Sequence, residues 1–242
     1  MDIGKSFSFV FEDPRWVDKV LIGAGMLILG SLLSVVLIGV IPVFIVGGYA
    51  LETLRNVRRG ERYPMPEWKD RWGEWLMLGL KLWVVTLIWS LPMFVLIMPM
   101  AVALAITGQQ ELEGAAAVIA LCSGLAVFAW GLVVALASPA IYTRVAETEE
   151  IGAGLRFGEI LSFTRQHLGE VIIATLVLIL ASLVFSLAGF LIGLLLCLVG
   201  VVVTLPAVSF IVALVQSHLY AQVGMPSPKP WQTGLAPVEA AE

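Results

Sequence analysis

Long apolar runs are the feature that most constrains how this chain folds. Residues 76–106, 115–142 and 171–187 contain a single charged residue between them, Lys81. The hydrocarbon layer of a membrane is about 30 Å thick, so a helix that crosses it needs about 20 apolar residues. Backbone polar groups find no water there, which leaves helices or closed barrels, and the lack of polar alternation excludes a barrel. The runs therefore predict an all-α membrane protein.

The composition excludes several other classes of protein. Hydrophobic residues make up 60% of the 242 residues, and charged residues only 13%, which is about half the charged share of a soluble domain. The net charge of −4 argues against a nucleic-acid partner, because such binding needs a basic surface. Cys122 and Cys197 lie in apolar runs, and we expect neither a disulfide nor a metal site from them. No cleaved signal peptide is predicted.

Six apolar stretches are candidates for membrane crossings. Asp13 is a candidate N-cap, and Pro14 suits the first turn of the first helix. Residues 39–42, Gly-Val-Ile-Pro, predict a break before the second helix. Pro92 and Pro99 lie within the third stretch and predict a kink or a broken end. The stretches comprise residues 20–38, 43–51, 76–106, 115–142, 171–187 and 201–219.

The positions of the basic residues predict the topology. All 14 Lys and Arg residues lie within residues 1–19, 51–81 and 143–170 or in the C-terminal tail. The three remaining turns hold none. Because basic residues concentrate on the cytoplasmic side of a membrane, we expect both termini and the two long connections to be cytoplasmic. The chain is then a multi-pass protein of the cell membrane, with about six transmembrane helices in three hairpins.

A short segment with aromatic and charged residues precedes each predicted hairpin. In the second segment Trp68, Trp72 and Trp75 are spaced so that they share one face of a helix. Tryptophan rings settle at the level of lipid headgroups. We therefore expect amphipathic helices in the cytoplasmic interface, with these three rings as interfacial anchors. The segments comprise residues 5–16, 66–75 and 154–163.

The hairpins also resemble one another. Pro42 precedes Glu52 by ten residues, and Pro206 precedes Gln216 by ten. One interpretation is a threefold internal repeat within a membrane domain, and the alternative is chance recurrence of residues common in membrane helices. The domain would cover residues 1–224, with units 1–60, 61–150 and 151–224, before a flexible Pro/Ala-rich cytoplasmic tail over 225–242.

One stretch of the sequence carries a family resemblance. The chain has Trp16, then Gly48-Tyr49 and Leu54-Arg55, then Arg59-Gly60-Glu61 and Pro64-Met-Pro-Glu-Trp68. This pattern resembles an uncharacterised family of archaeal and bacterial integral-membrane proteins, known only as a domain of unknown function, over about residues 3–224. The resemblance implies a six-helix membrane domain. It implies no activity and no functional residue.

The histidines and serines form no catalytic pattern. His167 and His218 belong to no metal-binding spacing such as His-Glu-x-x-His. Ser123 and Ser182 lie in apolar stretches, where small residues serve helix packing, and no serine stands in a hydrolase motif. The sequence therefore predicts no catalytic residue, no metal and no cofactor.

Polar residues near the predicted cytoplasmic boundary are better candidates for a site. None is placed at the middle of the membrane, where coupled transporters keep an ionisable group. We expect a polar pocket formed by Glu52, Lys81, Gln216 and His218.

A cluster of arginines adjoins the membrane after the second predicted crossing. It either contacts anionic lipids or only fixes the orientation of the chain, and the sequence leaves both readings open. The cluster comprises Arg55, Arg58, Arg59 and Arg62.

These observations favour a non-catalytic membrane protein that acts as a structural, assembly or lipid-organising subunit. Its expected partners are the lipid bilayer, including anionic lipids, and a second membrane protein. The alternative is a transporter of small molecules or lipids, built from repeated hairpins. An intramembrane enzyme that modifies lipids is the third hypothesis.

Overall fold

Residues 1–36, 38–105, 113–196 and 199–225 are described by a computed structural model. Cys197 and the tail from residue 226 lie outside these ranges. Within them the chain forms helices and turns and no strand. The helices are α1 (Ile3–Glu12), α2 (Trp16–Leu33), α3 (Val40–Arg58), α4 (Trp72–Ala105), α5 (Glu113–Thr148), α6 (Ile151–Gly154), α7 (Phe157–Gln166), α8 (Leu168–Leu195) and α9 (Val199–Gln222).

Six of the described helices are long and apolar enough to cross a membrane: α2, α3, α4, α5, α8 and α9. The predicted class, an all-α membrane protein with six spanning helices, is confirmed. Helices consecutive in the chain pack together as α2 with α3, α4 with α5 and α8 with α9. The threefold repeat and its unit boundaries stay a prediction.

The start of the first spanning helix differs from the prediction. Asp13 ends α1, and Arg15 is the residue that precedes α2. The Asp13 carboxylate accepts a hydrogen bond from the Arg15 backbone N–H at 2.8 Å, and its other oxygen binds Lys19. Asp13 is therefore the C-cap of α1 and a buried ion-pair partner, and it is not the N-cap of α2. The predicted break at residues 39–42 is present, since α3 begins at Val40.

The prolines do not break the helices that contain them. α4 is continuous through Pro92 and Pro99, so of the two predicted alternatives the broken end is not found at these prolines and the kink stays a prediction. Spanning helices tolerate proline because neighbouring helices and side chains hold the surrounding backbone. At 34 and 36 residues, α4 and α5 are about 50 Å long, whereas α3 is about 28 Å long.

α3 and α9 form the centre of the bundle. α9 contacts α1, α2, α3, α5 and α8, while α3 contacts α2, α4, α5 and α9. The backbones of α3 and α4 approach each other closely at two glycines. A Cβ atom added at Gly48 would lie only 2.0 Å from the Trp75 carbonyl oxygen. At Gly79 it would lie 1.8 Å from the carbonyl oxygen of Phe44. Only glycine permits this approach.

Basic residues far apart in the chain meet at one end of the bundle. Arg58, at the end of α3, pairs with Glu147 of α5 at 2.8 Å. Glu159 of α7 pairs with Arg156 at 3.2 Å and lies 3.8 Å from Arg144 of α5. We call this end, defined by these five residues, the charged end. Arg58 and Arg156 therefore lie on the same side, as the charge distribution predicts.

Candidate functional site

The connection between α3 and α4, residues 59–71, is folded onto the bundle. Its backbone carbonyls accept hydrogen bonds from side chains of the spanning helices. Asn56 Nδ2 donates to Pro64 at 2.9 Å, Lys19 Nζ to Met65 at 2.7 Å and Tyr49 Oη to Pro66 at 2.9 Å. Residues 61–71 are not helical. Within the predicted interfacial helix over residues 66–75, residues 66–71 are therefore not helical and Trp72–Trp75 form the start of α4, while the interfacial placement stays a prediction.

The three tryptophans of that predicted helix have different surroundings. Trp68 is buried, stacks on Tyr49 with ring centroids 4.1 Å apart and donates its Nε1–H to the Lys19 carbonyl at 3.0 Å. Trp75 is buried and packs edge-on against Tyr49. Trp72 is 37% exposed. Trp68 and Trp75 thus anchor the connection to the protein core instead of forming one exposed face, and Trp72 alone keeps the surface position expected of an interfacial ring.

Lys19 is the centre of a buried ion-pair cluster. Its Nζ lies 2.6 Å from Asp13 Oδ2, 2.9 Å from Glu67 Oε1 and 2.7 Å from the Met65 carbonyl oxygen. An ammonium group has three hydrogens, so every donor is used. We call Asp13, Lys19, Met65 and Glu67 the Lys19 cluster. It joins α2 to the connection and has no donor left for a ligand.

Glu52 is the centre of a second cluster, on α3. Its carboxylate is buried and lies 3.0 Å from Arg55 Nη1 and 3.2 Å from Arg71 Nη1. Arg55 also forms an ion pair with Glu149, with Nη2 and Oε1 2.8 Å apart, and donates its Nε–H to the Ala146 carbonyl at 2.8 Å. Arg71 also pairs with Glu74, and this hydrogen bond, with that to Glu52, raises the pKa of Arg71. The cluster fixes α3, α4 and the end of α5 relative to one another.

A cavity of about 240 Å³ opens beside this second cluster. Trp75, Met77 and Leu78 form its apolar lining. We call the cavity the Lys81 crevice. Its charged lining consists of Glu52, Arg55, Arg71, Glu74, Lys81 and Glu149.

The predicted polar pocket is divided by the structure. Glu52 and Lys81 line the same crevice, whereas Gln216 and His218 lie elsewhere. Gln216 lies beside Tyr142 and Tyr220. His218 Nδ1 is 2.9 Å from Ser6 Oγ, and its ring stacks on Phe9. The two halves separate because residues on α9 face α1 and α5, away from the crevice.

The Ser6–His218 contact has the geometry of a nucleophile and a base, but it is closed to substrate. Ser6 has no exposed surface and His218 is buried. Gln222 Nε2 adds hydrogen bonds to Ser6 Oγ and to His218 Nδ1, each at 2.9 Å. These contacts fasten α1 to α9. Sequence reasoning missed them because more than 200 residues separate the partners.

The four clustered arginines also divide into two kinds. Arg55 and Arg58 are engaged, the first with Glu52 and Glu149, the second with Glu147 and with the carbonyls of Ala221 and Val223. Arg59 and Arg62 are exposed, and Arg62 lies over the ring of Tyr63. Arg59 Nη1 lies 4.0 Å from Glu52 Oε1, so of these four arginines only Arg62 makes no ion pair among the described residues.

Within residues 1–36, 38–105, 113–196 and 199–225, no group of three or more His, Cys, Asp and Glu side chains is arranged to hold a metal ion.

The family resemblance is matched by a direct comparison. Residues 28–194 fit the model of the family described as "Protein of unknown function (DUF4013)". The matched part includes the Gly60 to Trp68 stretch that lies folded over the Lys19 cluster. No curated protein matches the chain, and no solved structure does. The chain belongs to the DUF4013 family.

Proposed function

We propose that this member of the DUF4013 family is a non-catalytic membrane subunit that organises lipids or assembles with another membrane protein. The observation that carries the proposal is the use of its buried charges. Asp13, Lys19 and Glu52 are all engaged with other charged groups of the chain. Their engagement joins helices and connections at the charged end, which is the role of a structural element.

The polar groups inside the spanning helices support the same proposal. Thr86 donates to the Leu82 carbonyl, Ser90 to that of Thr86 and Ser138 to that of Val134. These hydroxyls bind their own helix, four residues earlier, and such bonds leave little capacity for a polar substrate. A coupled transporter normally keeps an ionisable group or a broken helix at this depth.

The long α4–α5 pair offers the surface through which such a subunit would act. No residue between 117 and 136 of α5 is buried, and large apolar side chains such as Val95, Leu121 and Phe128 are strongly exposed. In a membrane this surface contacts acyl chains or an apolar partner helix. From the positive-inside rule we place the charged end in the cytoplasm of a cell membrane.

Reconstitution into liposomes tests the non-catalytic role. The purified full chain is incorporated into phosphatidylcholine–phosphatidylglycerol vesicles, and the movement of small solutes and fluorescent lipids is compared with that in empty vesicles. We expect no saturable flux, and we expect one membrane protein to co-purify at fixed stoichiometry from native membranes. Saturable flux would contradict the proposal in favour of transport.

Cysteine labelling tests the orientation separately. Gly60→Cys and Gln110→Cys are introduced singly into a chain in which Cys122 and Cys197 are replaced by Ala. A membrane-impermeant maleimide should label Gly60→Cys only from the cytoplasmic side and Gln110→Cys only from the opposite side. Labelling of both from one side would remove the basis for the proposed orientation.

A further inference from the structure

Within the part of the chain that the structure describes, Lys81 is a cation of a spanning helix that has no ion pair. It is partly buried on α4 and lines the Lys81 crevice. Among the residues that the structure describes it makes no ion pair and no hydrogen bond. Arg62, Lys69 and Arg165 also lack ion pairs within that part of the chain, but all three are exposed and lie outside the spanning helices. A lysine placed in a membrane helix is costly unless it has a partner.

Trp75 also lines this crevice and carries a donor that is unsatisfied among the described residues. It is only 1% exposed, and its Nε1–H has no hydrogen-bond partner among the described residues. A buried polar group without a partner costs about 1–3 kcal/mol. The indole N–H and the ammonium group are both donors only. The group that satisfies them must therefore be an acceptor, and the charge of Lys81 favours an anion.

The other charged groups of the crevice are already paired with one another. Glu52 is held by Arg55 and Arg71, while Glu74 and Glu149 pair with Arg71 and Arg55 at 2.7 and 2.8 Å. These pairs contribute three acidic and two basic groups, and Lys81 brings the lining to neutrality. Glu74 and Glu149 are paired with Arg71 and Arg55, so among the described residues Lys81 is the charged group of the crevice that makes no hydrogen bond or ion pair.

The size and position of the crevice narrow the class of anion. Its volume of about 240 Å³ accommodates a phosphate group. The side chain of Met77, on its rim, is 52% exposed and lies on the outer surface of α4. An anion bound here would lie near the charged end, with an apolar surface beside it.

We propose that the Lys81 crevice binds a phosphate group through Lys81 Nζ and Trp75 Nε1. The phosphate belongs either to a phospholipid headgroup or to a small soluble anion. The headgroup form rests on the proposed lipid-organising function, because it makes this crevice the place where that function is exerted.

Two titrations of the purified full chain test the site and distinguish the sources. In the first, dioleoylphosphatidylglycerol is added to protein in uncharged detergent, and retained lipid is measured by native mass spectrometry. In the second, inorganic phosphate is added without lipid, and binding is measured by calorimetry. Lys69→Met is the matched control, since it removes an unpaired lysine outside the crevice.

Lys81→Met should weaken binding about tenfold, which is the loss expected for one charge-assisted hydrogen bond. Lys81→Arg should retain most of the binding, and Lys69→Met should bind as the wild type does. A Lys81-dependent effect in the first titration identifies a lipid headgroup, and one in the second identifies a soluble anion. Equal binding by the wild type, Lys81→Met and Lys69→Met in both titrations would overturn the proposal.

A second variant distinguishes loss of the anion site from loss of folding. Trp75→Phe keeps an aromatic ring but removes the indole N–H, and it should weaken binding severalfold while the melting temperature reports on folding. The proposed function has a separate readout, because saturable flux from liposomes would contradict it even if Lys81-dependent binding were present. Loss of the anion site would leave the flux result unchanged.

Discussion

Lys19 and Lys81 are both lysines of spanning helices near the charged end, yet their surroundings are opposite. Lys19 is 4% exposed and has three acceptors around its ammonium group. Lys81 lines an open crevice and has none among the described residues. The comparison shows that the role of a lysine in an apolar run depends on whether the neighbouring segments supply acceptors for its ammonium group. Where a connection supplies acceptors the lysine is structural, and where it does not the lysine is available to a ligand.

The connection between α3 and α4 accounts for this difference. Residues 64–67 fold over Lys19 and bring it the Met65 carbonyl and the Glu67 carboxylate. Arg71, at the end of the connection, pairs with Glu74 and Glu52, and among the described residues neither Arg71 nor Glu74 contacts Lys81. The connection therefore supplies acceptors to Lys19 but none to Lys81.

The largest effect is expected from Lys19→Met. This change leaves the buried carboxylate of Asp13 without its partner, and breaking a buried pair in this way costs about 3–5 kcal/mol of folding free energy. Thermal unfolding in detergent, followed by loss of native helix signal, measures it. A melting temperature equal to that of the wild type would mean that the Lys19 cluster does not hold the connection in place.

Gly48→Ala should affect both sites at once. The added Cβ would lie 2.0 Å from the Trp75 carbonyl oxygen, so α3 and α4 must separate and displace the rings between the two lysines. We expect a loss of about 1–3 kcal/mol. Gly73→Ala is the control on α4, because nothing lies within 4 Å of a Cβ there. Equal melting temperatures for the two variants would contradict the close approach of α3 and α4.

Trp68→Phe tests whether the Lys19 cluster and the Lys81 crevice are independent of each other. Phenylalanine can still stack on Tyr49, but it loses the hydrogen bond to the Lys19 carbonyl, which is worth about 1 kcal/mol. Protease cleavage within residues 59–71 should become faster as the connection loosens. Anion binding at Lys81 should not change, and a parallel loss of binding would show that the two sites are not independent.

The smallest effect on stability is expected from Lys81→Met. No ion pair is lost, so the change in folding free energy should stay within about 0.5 kcal/mol of zero, as for substitutions away from buried networks. The same melting experiment in lipid-free detergent measures it. Destabilisation comparable to that of Lys19→Met would show that Lys81 has a structural partner, and the contrast between the lysines would fail.

The sequence predicts the spanning helices well because the membrane imposes one simple requirement. Only helices satisfy the backbone in hydrocarbon, so long apolar runs identify them directly. Clustering of basic residues likewise predicts that Arg58 and Arg156 share one end. Glu52 and Lys81 line the same crevice, because residues at similar depth on antiparallel neighbouring helices approach one another.

The sequence pattern does not predict contacts between residues that are brought together only by the tertiary structure. The spacing of Trp68, Trp72 and Trp75 predicts a helix, but the carbonyls of Pro64, Met65 and Pro66 bind side chains that a helical pattern does not show. Predicted depth in the membrane is the one feature that groups His218 and Gln216 with Glu52. Depth does not specify which neighbour a helix face meets, and α9 turns these residues toward α1 and α5. The spacing of Arg71 and Glu74, three residues apart, is the sequence signal for their ion pair beside the crevice, because side chains at this spacing can meet on one helix face.

Thermal unfolding with and without phosphatidylglycerol tests the contrast between the two lysines most directly. A ligand that binds only the folded protein raises its melting temperature. We predict that dioleoylphosphatidylglycerol, compared with dioleoylphosphatidylcholine, raises the melting temperatures of the wild type and Lys69→Met but not that of Lys81→Met, while Lys19→Met unfolds well below all three in lipid-free detergent. An equal rise for Lys81→Met and the wild type, or normal stability of Lys19→Met, would contradict the account.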